Sequence, residues 1–345
     1  MKWEEYELKI RKKCKEDCRT ETFTNKYIKY AKTLFDKGLP VISSPSHFSM
    51  LVGMNHSYVC SMARVPSKFY RDFEIKKANG KTRRISEPLP DLKFVQHWIL
   101  QNILEKCPVS IYAKAFIKGR TLKSNAKFHR SQTVVVTMDI KDFFPSISYY
   151  GVFSIFSEMG YSEPVSRFLS NLCCYHKSLP QGAPTSPYLS NLYMREFDSE
   201  IAEYISDKHI RYTRYADDLT FSGDINPHCL IHDISCYLYK YGFHMNAQKT
   251  RVAYQNARQE VTGIVVNSHM QIPKKKRKDI RQEVYYIRKF GLDSHLSHIQ
   301  EVRSNYLNHL LGQINHALFI NPKDIEMQSY YSYIMDIIKE RKKMP

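Results

Sequence analysis

Residues 211–223 read RYTRYADDLTFSG and place two adjacent aspartates, Asp217 and Asp218, between two stretches that favour β-structure. Aspartate is a poor strand former, but it is common in tight turns. The segment therefore predicts a β-hairpin whose turn carries two carboxylates that repel each other. Such a pair either supplies turn chemistry alone or forms part of a site for a cation.

A further aspartate ends a separate predicted strand. The segment QTVVVTMDI (132–140) is a short β-branched run with Asp139 near its end, which is typical of a buried strand. If this strand and the hairpin are neighbours in one sheet, three carboxylates converge at its edge, which is costly unless a cation neutralises them. Mg²⁺ prefers carboxylate oxygens, and a pair of such ions stabilises the attacking and leaving oxygens of phosphoryl transfer. Asp139, Asp217 and Asp218 therefore form a candidate two-magnesium site.

The charge of the chain points to a polyanionic partner. There are 52 Lys and Arg against 34 Asp and Glu, a formal net charge of +18, which favours nucleic acid over the alternative of a merely basic enzyme. No apolar run is long enough to span a membrane, and the N-terminal residues lack the apolar core of a signal peptide. The eight cysteines show no disulfide spacing, so we expect a cytoplasmic protein with no membrane partner.

Helical patterns lie on both sides of a mixed centre. Residues 22–37 predict one helix and residues 44–59 predict two short ones, whereas 71–86 predicts a β-hairpin around an Asn-Gly turn. From Gln271 onward the apolar residues again recur at helical spacing. This order predicts an α+β core with helical ends.

Four segments resemble the motifs of reverse transcriptases and occur in that family's order. YADD (215–218) is similar to the catalytic hairpin, MDIKDFFPSI (138–147) to the other metal-binding motif, LPQGAPTSP (179–187) to the loop under the incoming nucleotide, and KTRRISEP (81–88) to the fingers motif. The resemblance implies a right-hand polymerase fold. Its parts are expected to be a helical N-terminal extension (1–66), fingers (67–132), a palm (133–263) whose residues 150–185 contribute to the fingers, and a helical thumb (264–345).

The same resemblance implies roles at the catalytic centre. Asp139 and Asp217 would hold two Mg²⁺ ions, Asp218 would complete the charge cluster, and the carbonyl of Ile140 would be a further ligand. Lys249, in NAQKT, resembles a family lysine that protonates the departing pyrophosphate. The alternative for this lysine is an ordinary solvated side chain.

The incoming deoxynucleotide would meet a second set of residues. Lys81 and Arg83 would neutralise its triphosphate, although cations on a hairpin are often only solvated. Phe144 would lie beneath the sugar, where a flat ring excludes a ribose 2′-OH; its alternative is a core phenylalanine. Gln181 and the backbone of Gly182 would lie against the nucleotide, because glycine lets the main chain approach a ligand closely.

Two further motifs are similar to signatures of retron reverse transcriptases: NAKFH (125–129) and VTG (261–263). This resemblance implies an enzyme that binds a structured non-coding RNA, msr-msd, and primes from the 2′-OH of a guanosine in it. The product would be a branched RNA–DNA hybrid, msDNA, with cellular RNase H removing the template and an effector protein acting in anti-phage defence. Asn125, His129 and Thr262 are then candidates for RNA contact. The alternative for His129 is a structural histidine that shapes a loop.

The run PKKKRK (273–278) opens a predicted helix with a cluster of cations. Like charges at a helix N-terminus repel each other and oppose the helix dipole, so phosphates lying against them would explain the arrangement. A solvated basic face and a targeting signal are the alternatives. The candidate RNA-contacting side chains are Lys274, Lys275, Lys276, Arg277 and Lys278.

Other functions remain open from the sequence. One is a reverse transcriptase of a group II intron or of a diversity-generating element, against which the NAKFH and VTG pair argues. Another is a polymerase-like scaffold that binds RNA or msDNA, against which the intact Asp139, Asp217 and Asp218 argue. No nuclease-like segment is expected after the thumb.

Overall fold

The central strands are antiparallel and helices precede and follow them along the chain. The computed structural model describes residues 2–76, 80, 82–300, 303 and 305–343. It divides into two compact units, the first formed by Met1–Ile117, Ile140–Tyr204 and Asp233–Met245, and the second by Lys118–Asp139, Ile205–His232 and Asn246–Pro345. No helix within the described residues is both long and apolar enough to cross a membrane.

The helices are α1 (Trp3–Glu16), α2 (Glu21–Asp36), α3 (Pro45–Leu51), α4 (His56–Arg64), α5 (Pro90–Asn102), α6 (Leu122–Phe128), α7 (Phe143–Ser146), α8 (Tyr149–Glu158), α9 (Glu163–Cys173), α10 (Ser186–Tyr193), α11 (Arg195–Ile205), α12 (Pro227–Lys240), α13 (Lys274–Phe290), α14 (Leu292–His298), α15 (Tyr306–Ile320) and α16 (Ile325–Lys343). The strands are β1 (Tyr70–Lys76), β2 (Thr82–Pro88), β3 (Val134–Asp139), β4 (Arg211–Tyr215), β5 (Asp218–Gly223), β6 (Arg251–Tyr254), β7 (Glu260–Val261) and β8 (Ile264–Val265).

Helices α2, α3 and α4 of the first unit begin at capping side chains. Thr20 accepts a hydrogen bond from the backbone of Phe23 at the start of α2, and Ser44 and Asn55 cap α3 and α4 in the same way. Such caps satisfy backbone N–H groups that have no partner within the helix. The predictions of one helix over 22–37 and two short helices over 44–59 are confirmed.

The strands β1 and β2 pair from Tyr70 opposite Pro88 to Lys76 opposite Thr82, which confirms the predicted hairpin. Arg84 forms an ion pair with Asp72 at 2.8 Å, so this cation is engaged within the hairpin. Arg83 is exposed on the same strand. Lys81 lies outside the described residues.

The second unit contains a four-stranded antiparallel sheet in the order β4-β5-β3-β6. Its strand β3 is paired on both edges and buried at almost every position, as its run of β-branched residues predicts. The strand β4 forms a hairpin with β5. The predicted strand and the predicted hairpin are therefore neighbours in one sheet.

A helical cluster forms the C-terminal part of the second unit. Ile280, Val284 and Ile287 of α13 are buried, and α13 ends at Gly291, whose φ of +77° suits glycine. The three buried residues of α13 pack in one apolar cluster with Leu310 and Ile314 of α15. The helical face expected after Gln271 is confirmed.

Arg277 is joined to α16 rather than presented to solvent. Its guanidinium donates to Asp324 and Glu326 at 2.8 Å each, and its side chain is only 25% exposed. Hydrogen bonds from Arg281 and then Arg277 lower the pKa of Glu326 to about 2. The charge of Arg277 is thus paired with carboxylates within the protein, and its predicted contact with RNA stays a prediction.

Replacing this guanidinium should destabilise the second unit. We expect Arg277→Gln to lower the free energy of unfolding by about 2 kcal/mol, since it removes charge-assisted hydrogen bonds to a largely buried acid. The matched control is Arg281→Gln on the same helix, which also pairs with Glu326 but is 57% exposed and should cost under about 1 kcal/mol. Urea unfolding measures both, and equal effects would contradict this assignment.

Candidate active site

The Asp217–Asp218 segment forms a tight turn at one end of the central sheet. Strands β4 and β5 pair up to Tyr215 opposite Asp218, so Ala216 and Asp217 form the turn. Ala216 has a φ of +59°, as short hairpin turns require, at a cost of about 1–2 kcal/mol for a residue with a Cβ. The turn places Asp217 at the tip of the hairpin and Asp218 at the first position of β5.

Asp139 lies directly across the sheet from this turn. It is the last residue of β3, and its Cα is the register partner of Asp218 on β5. Its side chain is almost fully buried. The predicted convergence of acidic residues at one edge of the sheet is thus present in the second unit.

The Asp139 carboxylate is held by the segment before β6. Asn246 Nδ2 donates to its Oδ1 at 3.0 Å, and Lys249 Nζ donates to its Oδ2 at 2.7 Å. The backbone N–H of Asn246 also donates to the Asp139 carbonyl at 2.7 Å. In this structure Lys249 is therefore the counter-charge of Asp139, a contact that its predicted role with pyrophosphate does not include.

Asp218 shows that the site keeps an excess of negative charge. Its burial, followed by the charges of Asp217 and Asp139, raises its pKa to about 6, and Lys249 opposes that shift only in part. Hard carboxylate oxygens with uncompensated charge fit a divalent cation chemically. Within the described residues, however, no three acidic, histidine or cysteine side chains are grouped so that they could hold a metal ion.

A pocket of about 260 Å³ opens beside these carboxylates. The residues that line it include two carboxylates, Asp139 and Asp218. They also include three cations, Lys249, Arg251 and Arg258. Acidic and basic groups around one polar space suit a phosphorylated ligand. Sequence reasoning missed Arg251 and Arg258, because no motif marks them and only the pairing of β3 with β6 brings that segment to the site. In NAQKT it singled out Lys249 and missed the role of Asn246.

Thr262 also lines this pocket, at the turn between β7 and β8. Thr262 and Gly263 both have positive φ, +47° and +82°, the combination that a type I′ hairpin turn needs. A β-branched residue is strained in this region. The Thr262 hydroxyl is buried and has no hydrogen-bond partner among the described residues.

Asn125 and His129 lie beneath the catalytic hairpin and are fully buried. The two ring nitrogens of His129 lie 2.7 Å from the hydroxyls of Thr213 on β4 and Ser222 on β5. The Thr213 hydroxyl donates to Asn125 Oδ1 at 2.6 Å. The prediction that Asn125 and His129 contact RNA is wrong, because neither has exposed surface. Both instead join α6 to the two strands of the hairpin.

The residues predicted to lie against the incoming deoxynucleotide belong to the first unit. The carbonyl of Gln181 accepts a hydrogen bond from the backbone of Ser86 on β2 at 2.8 Å. A Cβ on Gly182 would lie 2.7 Å from the Ser86 carbonyl oxygen, and the φ of Gly182 is +130°. Glycine is therefore required by the approach of the loop to β2, which corrects the expectation that a ligand alone demands it.

Phe144 follows Phe143 in α7, and the two rings differ in environment. Phe143 is buried, whereas Phe144 is half-buried with its ring centroid 5.5 Å from that of Phe143. Phe143, rather than Phe144, therefore has the environment of an ordinary core residue. Ile140, the other backbone candidate, is buried and forms an isolated antiparallel bridge with Met245.

The lysines in the first two turns of α13 are exposed. Lys274, Lys275, Lys276 and Lys278 all have solvent-accessible side chains, and Pro273 precedes the helix as its N-cap. Arg277 alone in this run turns toward acidic partners. The four lysines remain candidates for phosphate contact.

Comparison with known proteins agrees with this fold and site. Residues 75–286 match the family described as reverse transcriptase (RNA-dependent DNA polymerase). The protein is thus a reverse transcriptase with a right-hand polymerase fold, and the α+β prediction is confirmed. This family acts on an RNA template and generally uses divalent metal ions.

The sequence relatives narrow the family. Retron Ec86 reverse transcriptase of Escherichia coli is 31% identical over 271 residues, which cover 76% of this chain and 83% of the relative. Retron Mx65 reverse transcriptase of Myxococcus xanthus is 30% identical over 317 residues, covering 84% and 71%. The chain belongs to the retron reverse transcriptases. A solved Candida albicans telomerase covers 85% of this chain and 68% of its own at 10% identity and a TM-score of 0.45, too low a likeness to add to this assignment.

The buried His129 network predicts a loss of stability rather than of RNA affinity. We expect His129→Ala to lower the free energy of unfolding by about 2–3 kcal/mol, because buried hydroxyls on both strands lose a partner. His97→Ala, at an exposed histidine, should change it by less than about 0.5 kcal/mol. Thermal unfolding and RNA titration of the folded variants measure the two effects. Weakened RNA binding with unchanged stability would restore the direct-contact interpretation.

Proposed function

We propose that this protein synthesises msDNA: it binds a structured msr-msd RNA, primes on the 2′-OH of a guanosine within it and copies part of the RNA into DNA. The observation that carries the proposal is the pairing of Asp139 with the Asp217–Asp218 turn at the edge of the sheet. A chain of this family with that acidic edge has the groups needed for phosphoryl transfer.

The acidic edge would be the cation site. Asp139 and Asp217 would hold two Mg²⁺ ions, with Asp218 completing the charge cluster and the Ile140 carbonyl as a further ligand. When bound, such ions lower the charge on the attacking and leaving oxygens. Burial and like charges raise the pKa of Asp218 to about 6. This neutralisation would therefore stabilise the charged form of its carboxylate.

Lys249 has two successive roles in this proposal. In the structure its ammonium neutralises Asp139 at 2.7 Å, and in the reaction the same ammonium would donate a proton to the departing pyrophosphate. Its side chain is 54% exposed, so it can leave Asp139 without repacking the core. Arg251 and Arg258, which line the same pocket, would hold phosphates there.

The deoxynucleotide would be bound by residues that the family resemblance selects. Lys81 and Arg83 would pair with the triphosphate, Gln181 and Gly182 would lie against the nucleotide, and Phe144 would exclude a ribose 2′-OH. The exposed position of Arg83 and the half-buried ring of Phe144 support these roles. The fingers, palm and thumb are proposed with the boundaries given above.

The cognate RNA would be contacted by Thr262 and by the four exposed lysines of α13. The position of Thr262 on the wall of the pocket that also contains Asp139 and Asp218 supports contact with a sugar or phosphate there. We further propose that the protein works in the bacterial cytoplasm, with cellular RNase H removing copied RNA and an effector protein acting with the msDNA complex against phage.

The acidic turn gives the most direct test of catalysis. Asp217→Asn combined with Asp218→Asn should abolish msDNA, because the cation site loses its charge, while the cognate RNA still binds. The melting temperature should stay level or rise, since a buried repulsive charge is removed. Asp224→Asn, at an exposed aspartate after β5, is the control. Residual DNA synthesis by the double variant on the cognate RNA would overturn the metal assignment.

The exposed lysines give a test of RNA contact. Replacing Lys274, Lys275, Lys276 and Lys278 with Gln, and keeping Arg277, should flatten the dependence of log Kd on log salt by about 2–4, near one for each lost phosphate contact. The matched control replaces four exposed lysines of α1 and α2: Lys12, Lys15, Lys26 and Lys29. The same slope change in both variants would mean that only net charge matters.

A further inference from the structure

Phe116, in the segment between α5 and α6, combines two unfavourable features. Its backbone φ is +62°, which is rare for a bulky residue. Its side chain is 46% exposed, although the nearby Ala113 and Ala115 are fully buried. Large aromatic residues are usually placed inside, so the fold keeps a strained backbone and an exposed ring at the same position.

A buried hydrogen bond fixes the backbone beside Phe116. Asn191 Nδ2 donates to the carbonyl of Ala115 at 2.9 Å, and Asn191 itself is fully buried. Asn191 belongs to α10, the helix that begins in the LPQGAPTSP segment. Strained residues persist where the surroundings over-determine them, and they cluster at functional sites.

The ring of Phe116 packs against Phe144. Their centroids are 6.3 Å apart, within the range of a favourable aromatic pair. Phe144 in turn contacts Phe143 at 5.5 Å, and Phe143 contacts Phe243 at 5.7 Å. Phe143 and Phe243 are buried. Phe144 therefore has one aromatic neighbour in the core and a second, Phe116, at the surface.

We propose that Phe116 is a positioning residue for sugar selection, which acts by holding the ring of Phe144 in place. The inference rests on the proposed role of Phe144 in excluding a ribose 2′-OH. A half-buried ring with a neighbour only in the core can turn aside for an extra hydroxyl, whereas a ring also held from the surface cannot. Selection against ribonucleotides thus depends on a residue outside the four polymerase motifs.

The experiment compares dGTP and GTP, which differ only in the 2′-OH, on poly(rC)–oligo(dG) with the full chain. Phe116→Leu should lower the ratio of kcat/KM for dGTP over GTP about three- to tenfold, the worth of one aromatic pair, mainly through better use of GTP. Phe116→Tyr keeps the ring and should keep the ratio. Phe94→Leu is the matched control, at a phenylalanine of the same unit that is 53% exposed.

Phe144→Val and the double variant separate this inference from the role of Phe144 itself. Loss of selection in Phe144→Val, with no further loss on adding Phe116→Leu, supports it. If Phe144→Val loses selection and Phe116→Leu does not, the role of Phe116 is overturned and that of Phe144 stands. If Phe144→Val keeps selection, both fall. A merely structural Phe116 would lower use of both nucleotides equally, which also overturns the proposal.

Discussion

Repulsion between Asp139 and the Asp217–Asp218 turn is the constraint on which the rest of the second unit depends. A sheet register that sets Asp139 opposite Asp218 brings like charges together, and burial followed by the charges of Asp217 and Asp139 raises the pKa of Asp218. The neighbouring structure is arranged to hold the acids there all the same. Asn246 and Lys249 donate hydrogen bonds to the Asp139 carboxylate. Such local conflict is expected at a site kept for chemistry.

The hairpin that carries the acidic residues is also held by buried polar side chains. His129 reaches a hydroxyl on each of β4 and β5, and Asn125 extends the chain of hydrogen bonds to α6. Buried hydrogen bonds of this kind favour one arrangement of the elements they join, although the Asn125 Nδ2 has no partner among the described residues. Asn125 and His129 of NAKFH thus contribute to the geometry of the hairpin.

Local sequence patterns were sufficient to predict these secondary-structure elements and the convergence of the three aspartates. The β-branched run of β3, the turn residues of the YADD hairpin and the apolar face of α13 each depend on neighbours in sequence, and each was predicted. Arg277 could not be predicted, because its partners Asp324 and Glu326 lie on another helix. The burial of His129 was equally hidden, since a histidine suits an interface and an interior alike. Arg251 and Arg258 became visible only through strand pairing.

The ion pair of Lys249 with Asp139 has a consequence for how the enzyme is made. Zinc fingers are unfolded without their metal because nothing in the chain can stand in for it. Here a lysine of the same unit supplies a counter-charge to Asp139, so this carboxylate is neutralised by the chain itself. If the acidic edge binds magnesium as proposed, folding of the sheet would not have to wait for the ion, and folding and ion binding would be separate events.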